Sequence, residues 1–176
     1  IWFFEADNIK ISNYLLPVNN IDLIINFNSS IIYKINDKKI IVKNKPFFLG
    51  PFEKSVFIEQ MGNIKVMGIS FKTFGFHSLI DKPIYNFFNK LVYLDDVSEN
   101  LTNRLFKDLD KSIKGEELVR IIESNLIKVL NNKLIDKYHS EIINRFLNDG
   151  FKDKIQNFSS EMNISSRQLL RVFKRY

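Results

Sequence analysis

Arg167, Arg171 and Lys174 stand four and three residues apart near the end of the 176-residue chain, so on a helix their cationic heads share one face. Two guanidinium groups one helical turn apart suit the major groove of DNA, where arginine can hold guanine O6 and N7 bidentately. Lys174 and Arg175 lie further along and are better placed for phosphate, which positions such a helix without reading sequence. The same pattern also fits an ordinary amphipathic helix with a solvated basic face. Other chemistry is sparse. Two histidines, His77 and His139, and no cysteine exclude a disulfide scaffold, a thiol nucleophile, Cys-ligated zinc and an imidazole-rich metal cage. No G-x-S-x-G, P-loop or G-x-G-x-x-G occurs. The chain therefore reads as a non-enzyme without cofactor or metal. His77, after Phe74-Gly75-Phe76, reads as a helix-start or surface histidine. Asp22, beside Leu23-Ile24-Ile25, is the one carboxylate placed for burial in a β-domain. Its expected role is to accept backbone amides in a turn, with ligand contact as the alternative.

Composition limits the fold and points toward an anionic partner. Apolar residues make up 45% and charged residues 26% of the chain, as expected for a packed globular protein. There are 26 basic against 20 acidic side chains, a net charge of +6. Residues 1–95 hold 11 basic and 8 acidic side chains, residues 96–150 hold 9 and 10, and residues 151–176 hold 6 and 2. Most of the basicity thus sits in the last short segment, as a nucleic-acid-binding module would have it. No apolar stretch approaches the roughly 18 residues of a membrane span, and Ile1-Trp2-Phe3-Phe4 lacks the length and basic flank of a secretory signal. The expectation is a cytoplasmic protein with no membrane association, and a sequence that begins and ends inside a longer one.

Two kinds of elements must position these residues. Up to about residue 75, short runs rich in β-branched and aromatic residues predict strands at Asp22–Phe27, Ile31–Ile35, Ile40–Val42, Pro46–Leu49, Val56–Glu59 and Ile64–Phe71. Breakers separate them, Gly62-Asn63 among them. The spacing predicts an antiparallel meander closing into a sandwich or small barrel, and the run Leu23-Ile24-Ile25 predicts strands covered on both faces. Helices are predicted at Pro83–Leu91, Glu99–Leu109 and Glu116 to about Asp136. In the last of these, Leu118, Ile121, Ile122, Asn125, Leu126, Val129, Leu130 and Lys133 form a stripe that either packs on its own barrel or makes a dimer seam. Three more helices follow, at Ser140–Asn148, Asp153–Met162 and Ser166 to at least Arg175. In the last, Ser165 is placed to cap by accepting the Gln168 amide, Ile164 to plug the turn, and Leu169, Val172 and Phe173 to form the buried stripe.

The stretch from Phe158 to Tyr176 resembles the first helix-turn-helix of the AraC/XylS family of bacterial transcription regulators, whose pattern there is about L-A-x-x-x-x-x-S-x-R-x-L-x-R-x-F-K. Ser165, Arg167, Leu169, Arg171, Phe173 and Lys174 match in type and spacing; Phe158-Ser159 stands where Leu-Ala is usual. Leu16-Pro17, Ile21–Asn26, Phe48-Leu49-Gly50-Pro51 and Met67–Phe71 before Phe74-Gly75 more loosely resemble the β-rich N-terminal domain of one AraC-type subgroup, with Thr73 where many members have Pro. The resemblance implies a cupin-like barrel for effector sensing or dimerisation. It makes Arg167 and Arg171 base readers and Leu169 and Phe173 core. The family's DNA-binding domain has two helix-turn-helix units, and this sequence stops within the first, so weak DNA binding or none is expected of it alone.

The reading is thus an α+β chain. Residues 1–95 form a β-rich sensor or dimerisation domain, 96–137 a helical linker, and 138–176 a partial helix-turn-helix. The candidate DNA-binding residues are Ser165, Ser166, Arg167, Gln168, Leu170, Arg171, Lys174 and Arg175. DNA, a small-molecule effector and a second copy of the chain are the expected partners. The alternative is a sensory module for a small molecule or protein, without DNA binding of its own. Aromatic residues such as Phe47, Phe48, Phe52 and Phe57 could line its pocket.

Overall fold

The computed structural model describes residues 1–72, 74–107, 109–110, 112–130, 136–149 and 154–176. Seven strands form one curled antiparallel sheet: β1 Trp2–Leu15, β2 Ile21–Asn26, β3 Ile31–Ile35, β4 Lys38–Val42, β5 Phe47–Leu49, β6 Val56–Phe71 and β7 Leu91–Tyr93. Their order is β4-β3-β6-β2-β5-β7, with β1 also paired to β6.

This order is not a meander, because Gly62-Asn63 does not end a strand. The predicted strands Val56–Glu59 and Ile64–Phe71 are one, β6, which passes through Gly62 at φ 102°, a conformation glycine adopts without steric cost. Opposite it, the β1–β6 register shifts between Ala6 and Ile9, and the Asn8 amide donates to Asn63 Oδ1 at 3.0 Å. A bulge facing a glycine bends both strands together. β6 therefore carries β1 along one edge and both β3 and β2 along the other, which places it between strands that are consecutive in sequence.

β1 itself has no counterpart in the sequence reading. Its polar residues interrupt any apolar alternation, and no residue in it is fully buried. The predicted helix Pro83–Leu91 is also corrected. Only Ile84–Phe87 forms a 3-10 turn; Asn89 is left-handed, and Leu91 opens β7 against β5.

Alternation along the strands makes two cores. Ile21, Leu23, Ile25, Phe48 and Met67 face helices α1 (Gly75–Leu79), α2 (Leu94–Phe106) and α3 (Gly115–Val129). Ile24, Ile31, Tyr33, Phe47 and Val56 face the other way and are buried without helical cover, enclosed by the curl of the sheet. The expectation of strands covered on both faces holds for β2.

α2 begins at Leu94, earlier than predicted. Its interruption at Ser98, whose hydroxyl accepts the Leu101 amide at 3.2 Å, accounts for the predicted start at Glu99. In α3, Leu118, Ile122, Leu126 and Val129 are buried in the first core, and Asn125 Nδ2 donates to the Leu105 carbonyl at 3.1 Å. The buried part of the stripe offered as a dimer seam thus packs within its own chain, while Leu130 is exposed. The helix, predicted to run to about Asp136, ends at Val129, where Leu130 is its non-helical C-cap and Asp136 lies outside any helix; residues 131–135 fall outside the described residues.

Two substitutions test this packing. Trp2 lies across Gly68, where an added Cβ would come within 2.1 Å of the indole. Gly68→Ala is expected to displace the single tryptophan and shift its emission to the red; an unchanged spectrum contradicts the contact. Ile122→Ala is expected to cost about 2–5 kcal/mol in urea unfolding, whereas a cost near zero would mean α3 does not pack on the sheet.

Candidate nucleic-acid interface

Three helices close the chain: α4 Lys137–Asp149, α5 Ile155–Glu161 and α6 Ser166–Arg175. α4 starts earlier than predicted because Asp136 Oδ1 accepts the amides of Tyr138 at 2.9 Å and His139 at 3.3 Å, an N-terminal cap. Ile142, Ile143, Phe158, Met162, Leu169 and Val172 form their shared core, with Phe146 and Phe173 in ring contact at 4.3 Å. The residues between α5 and α6, Met162–Ser165, include left-handed Asn163. Ile164 packs beneath this turn, as its sequence position predicts.

Ser165 caps α6 as expected. Its hydroxyl accepts the Gln168 amide at 3.2 Å, and Gln168 Oε1 accepts the Ser165 amide at 2.8 Å. This reciprocal pairing is a capping box. Ser159 and Ser166 share a hydroxyl contact of 3.1 Å, and Ser159 is buried. Serine after Phe158 is therefore a small polar tie between α5 and α6, where the usual pair would put alanine. Ser165, Ser166 and Gln168 all hold the turn together.

The other five candidates divide along the helix. Arg167, Leu170 and Arg171 are exposed on the face opposite the buried Leu169 and Val172. Arg171 and Arg175 also line a cleft of about 270 Å³ against Tyr138 and His139 of α4. Lys174 and Arg175 reach the β-domain. Lys174 Nζ lies 5.1 Å above the Tyr85 ring, and Arg175 Nη2 is 3.5 Å from Asp81 Oδ1. Tyr176 packs against His77 at 4.7 Å, His139 at 5.7 Å and Phe74 at 5.8 Å. Nothing in the spacing of Asp81, Tyr85 or His77 signals this contact, since about ninety residues separate the partners in sequence.

Comparison with known proteins places the β-rich part of the chain in a family. Residues 1–93 match the model of the domain of unknown function DUF6597. The chain belongs to the DUF6597 family. No curated protein matches the sequence. Among solved structures, this DUF6597 chain is similar to the AraC-like transcriptional activator CuxR at 12% identity and a TM-score of 0.41, covering 97% of this chain and 69% of that one. It is also similar to ToxT from Vibrio cholerae, solved with an unsaturated fatty acid bound, at 11% identity and a TM-score of 0.45, covering 98% and 72%.

In the DUF6597 chain Asp22 lies in a strand and His77 near a helix start, both as the predicted elements place them, but neither has the surroundings expected of it. Asp22 is in β2, not in a turn, directly across from Ser70 of β6. It shares the inward face of the sheet with Tyr33. Its Oδ1 is sealed from solvent and has no hydrogen-bond partner. Burial pushes its pKa up, and a hydrogen bond from the Ser70 side chain partly opposes this. His77 is in α1 and only 8% exposed, which corrects the surface reading. Burial pushes its pKa below the ordinary imidazole value. The Arg175 backbone pulls the other way, the Arg175 guanidinium adds to the depression and Asp81 opposes it. Among the described residues, no three His, Asp or Glu side chains gather as metal ligands, and no helix is long and apolar enough to cross a membrane.

Two outcomes follow from this geometry. Ser165→Ala is expected to lower stability by about 1 kcal/mol, with Ser165→Asp recovering most of it; a thermal melt unchanged by the alanine would deny the cap its role. His77 is depressed in the folded state, so the unfolded chain binds its proton first as pH falls. Its contribution to stability is complete above the unfolded value near 6.5 and is lost as pH drops from there through the folded value. Urea midpoints should therefore decline from pH 7 toward 5.5 in the native chain and decline less in His77→Gln. Parallel profiles would show that the imidazole does not titrate against its buried site.

Proposed function

We propose that the chain is the sensory and first DNA-reading portion of an AraC-type transcription regulator. In this reading α5 and α6 form a helix-turn-helix, Arg167 and Arg171 read base edges in the major groove, and Lys174 and Arg175 contact phosphate. The curled sheet senses an effector or joins a second copy of the chain, and the whole operates in the cytoplasm. The observation that carries the reading is the capped helix α6, with Leu169 and Val172 buried and Arg167, Leu170 and Arg171 exposed together on the other side. The matched pattern from Ser165 to Lys174 and the six basic against two acidic side chains after residue 150 support it.

A second reading, a sensory module that does not bind DNA, is favoured by one feature. Lys174 and Arg175 are already engaged with Tyr85 and Asp81 of the β-domain.

Footprinting of the intact natural protein on DNA upstream of its own gene separates the two. Arg167→Ala and Arg171→Ala should each cost about 1–3 kcal/mol on the preferred site and relax its selectivity. Lys174→Ala should weaken binding evenly across sequences and reduce the salt dependence by about one phosphate contact. Unaltered selectivity in both arginine variants overturns base reading by α6. Absence of any footprint favours the sensory module.

A further inference from the structure

We propose that a cleft at the β3–β4 end of the sheet binds a small molecule in which a flat aromatic ring carries an anionic group. It deepens the sensory role proposed for the β-domain, and its test needs no DNA.

The floor of the cleft follows from strand register. Tyr14 of β1 pairs with Phe57 of β6, and Phe57 pairs with Lys34 of β3, so the three side chains stand in one row across the sheet. Tyr14 meets the Phe57 ring edge-on at 5.2 Å, and Lys34 Nζ lies 4.7 Å above that ring. Tyr33 and Ile35, on either side of Lys34, are buried in the interior of the curl. The row therefore projects from the outer face, while Ile35 and Val56, which also border the cleft, belong to the apolar interior.

Its walls are fixed before any ligand arrives. On one side is the β3–β4 turn, where Asn36 and Asp37 take left-handed φ values of 48° and 63°, the geometry of a two-residue primed turn. On the other side the segment after β5 contributes Phe52, Lys54 and Ser55. That segment is fastened to residues 87–90. Asn89 Oδ1 accepts the Glu53 amide at 3.0 Å, the Asn89 amide donates to the Pro51 carbonyl at 2.8 Å, and the Gly50 amide to the Lys90 carbonyl at 3.0 Å. The open cleft has a volume of about 530 Å³, within the roughly 300–1,000 Å³ of small-molecule sites.

Charge selects the class of ligand. Residues 34–45 carry five lysines and one acid, Asp37. Lys34 and Lys39 face each other across β3 and β4, a like-charge pair that is unfavourable without a counter-ion. Lys45 is paired with Asp95 at 3.3 Å. Among the described residues, neither Lys34 nor Lys54 has a carboxylate within ion-pair distance. Two ammonium groups beside three aromatic rings fit an anion on an apolar plane, with the rings of Tyr14, Phe52 and Phe57 supplying the stacking surface. Asp37 on the rim works against a ligand charged at both ends.

Calorimetric titration of the intact chain with benzoate, 2-naphthoate, indole-3-acetate and phenyl phosphate tests this. At least one should bind, and its uncharged counterpart (amide or alcohol) should bind roughly tenfold more weakly or not at all. Both lysines are exposed, so Lys34→Gln with Lys54→Gln should leave the fold intact and weaken binding by roughly tenfold. Amide NMR shifts should map to Tyr14, Phe57 and the Asn36-Asp37 turn. Binding of none of the four anions overturns the proposal. So do equal binding of anion and neutral counterpart, no effect of the lysine changes, or duplex DNA occupying the same lysines in place of the aromatic acids.

Discussion

β6 hydrogen-bonds along both edges for most of its sixteen residues, and the arrangement of β1, β2 and β3 follows from it. β1 follows one edge nearly end to end. The other edge is shared, with Phe57–Gln60 taken by β3 and Val66–Phe71 by β2. Between those two stretches the connecting residues continue the ladder, Phe27 donating to the Lys65 carbonyl at 2.9 Å and Ser29 to the Asn63 carbonyl at 3.2 Å. The polar groups trapped at this junction are satisfied locally. Gln60 Nε2 donates to the Ser29 carbonyl at 2.7 Å and to Asn26 Oδ1 at 3.2 Å, and Asn26 Nδ2 to the Ser29 carbonyl at 2.8 Å. Buried amides left unpaired there would each cost a full desolvation penalty, so the Asn26–Gln60 pair is what lets the chain bend at Gly62 without breaking the sheet.

The bend in turn decides how the sheet is covered. A flat sheet of this size would need helices on both faces to bury Tyr33, Val42, Phe47 and Ile64; the curl buries them against one another and frees α1, α2 and α3 to cover only the outside. β6 reaches that outer layer too. Lys65, buried in the strand, donates to the Ile113 carbonyl at 2.7 Å and lies 3.6 Å from Glu5 of β1, which fixes the start of α3 relative to the sheet. α3 then lays Leu118, Ile122, Leu126 and Val129 on the core. With these four residues consumed, α3 turns toward solvent its charged side and Ile127, with Leu130 exposed at its end.

The sequence was most legible where interactions are local. The cap at Ser165, the spacing of Leu169 and Val172 and the exposure of Arg167 and Arg171 all depend on residues within one or two turns. The strands β2 and β3 were legible for the same reason. What could not be read depends on pairing at a distance. Gly62-Asn63 has the composition of a turn, and only the bulge at Asn8, more than fifty residues earlier, makes it a kink within a strand. β1 reads as polar and irregular because one face is solvated and its stability comes from backbone pairing with β6. Asp22 was correctly placed in a strand and marked for burial, but its partner Ser70 is a matter of register. His77 was placed rightly near a helix start, but its burial was not legible because its cover, Tyr176, lies at the other end of the chain.

The contact between α6 and the β-domain is built from interactions of unequal strength, and the difference bears on how the proposed reader would work. The Arg175–Asp81 pair has both side chains about half exposed, and such pairs contribute about 0–1 kcal/mol. A cation over an exposed ring such as Lys174 over Tyr85 adds roughly 0.5–1 kcal/mol. Each is small enough for a DNA phosphate to replace, since the cation exchanges one weakly held partner for a fully charged one. Tyr176 is different: its ring is packed among Phe74, His77 and His139, and exposing it returns apolar surface to water. Engagement of Lys174 and Arg175 by phosphate therefore does not require α6 to leave the β-domain, provided the helix can pivot about Tyr176. The exposed face of Arg167 and Arg171 lies nearly two helical turns from that pivot.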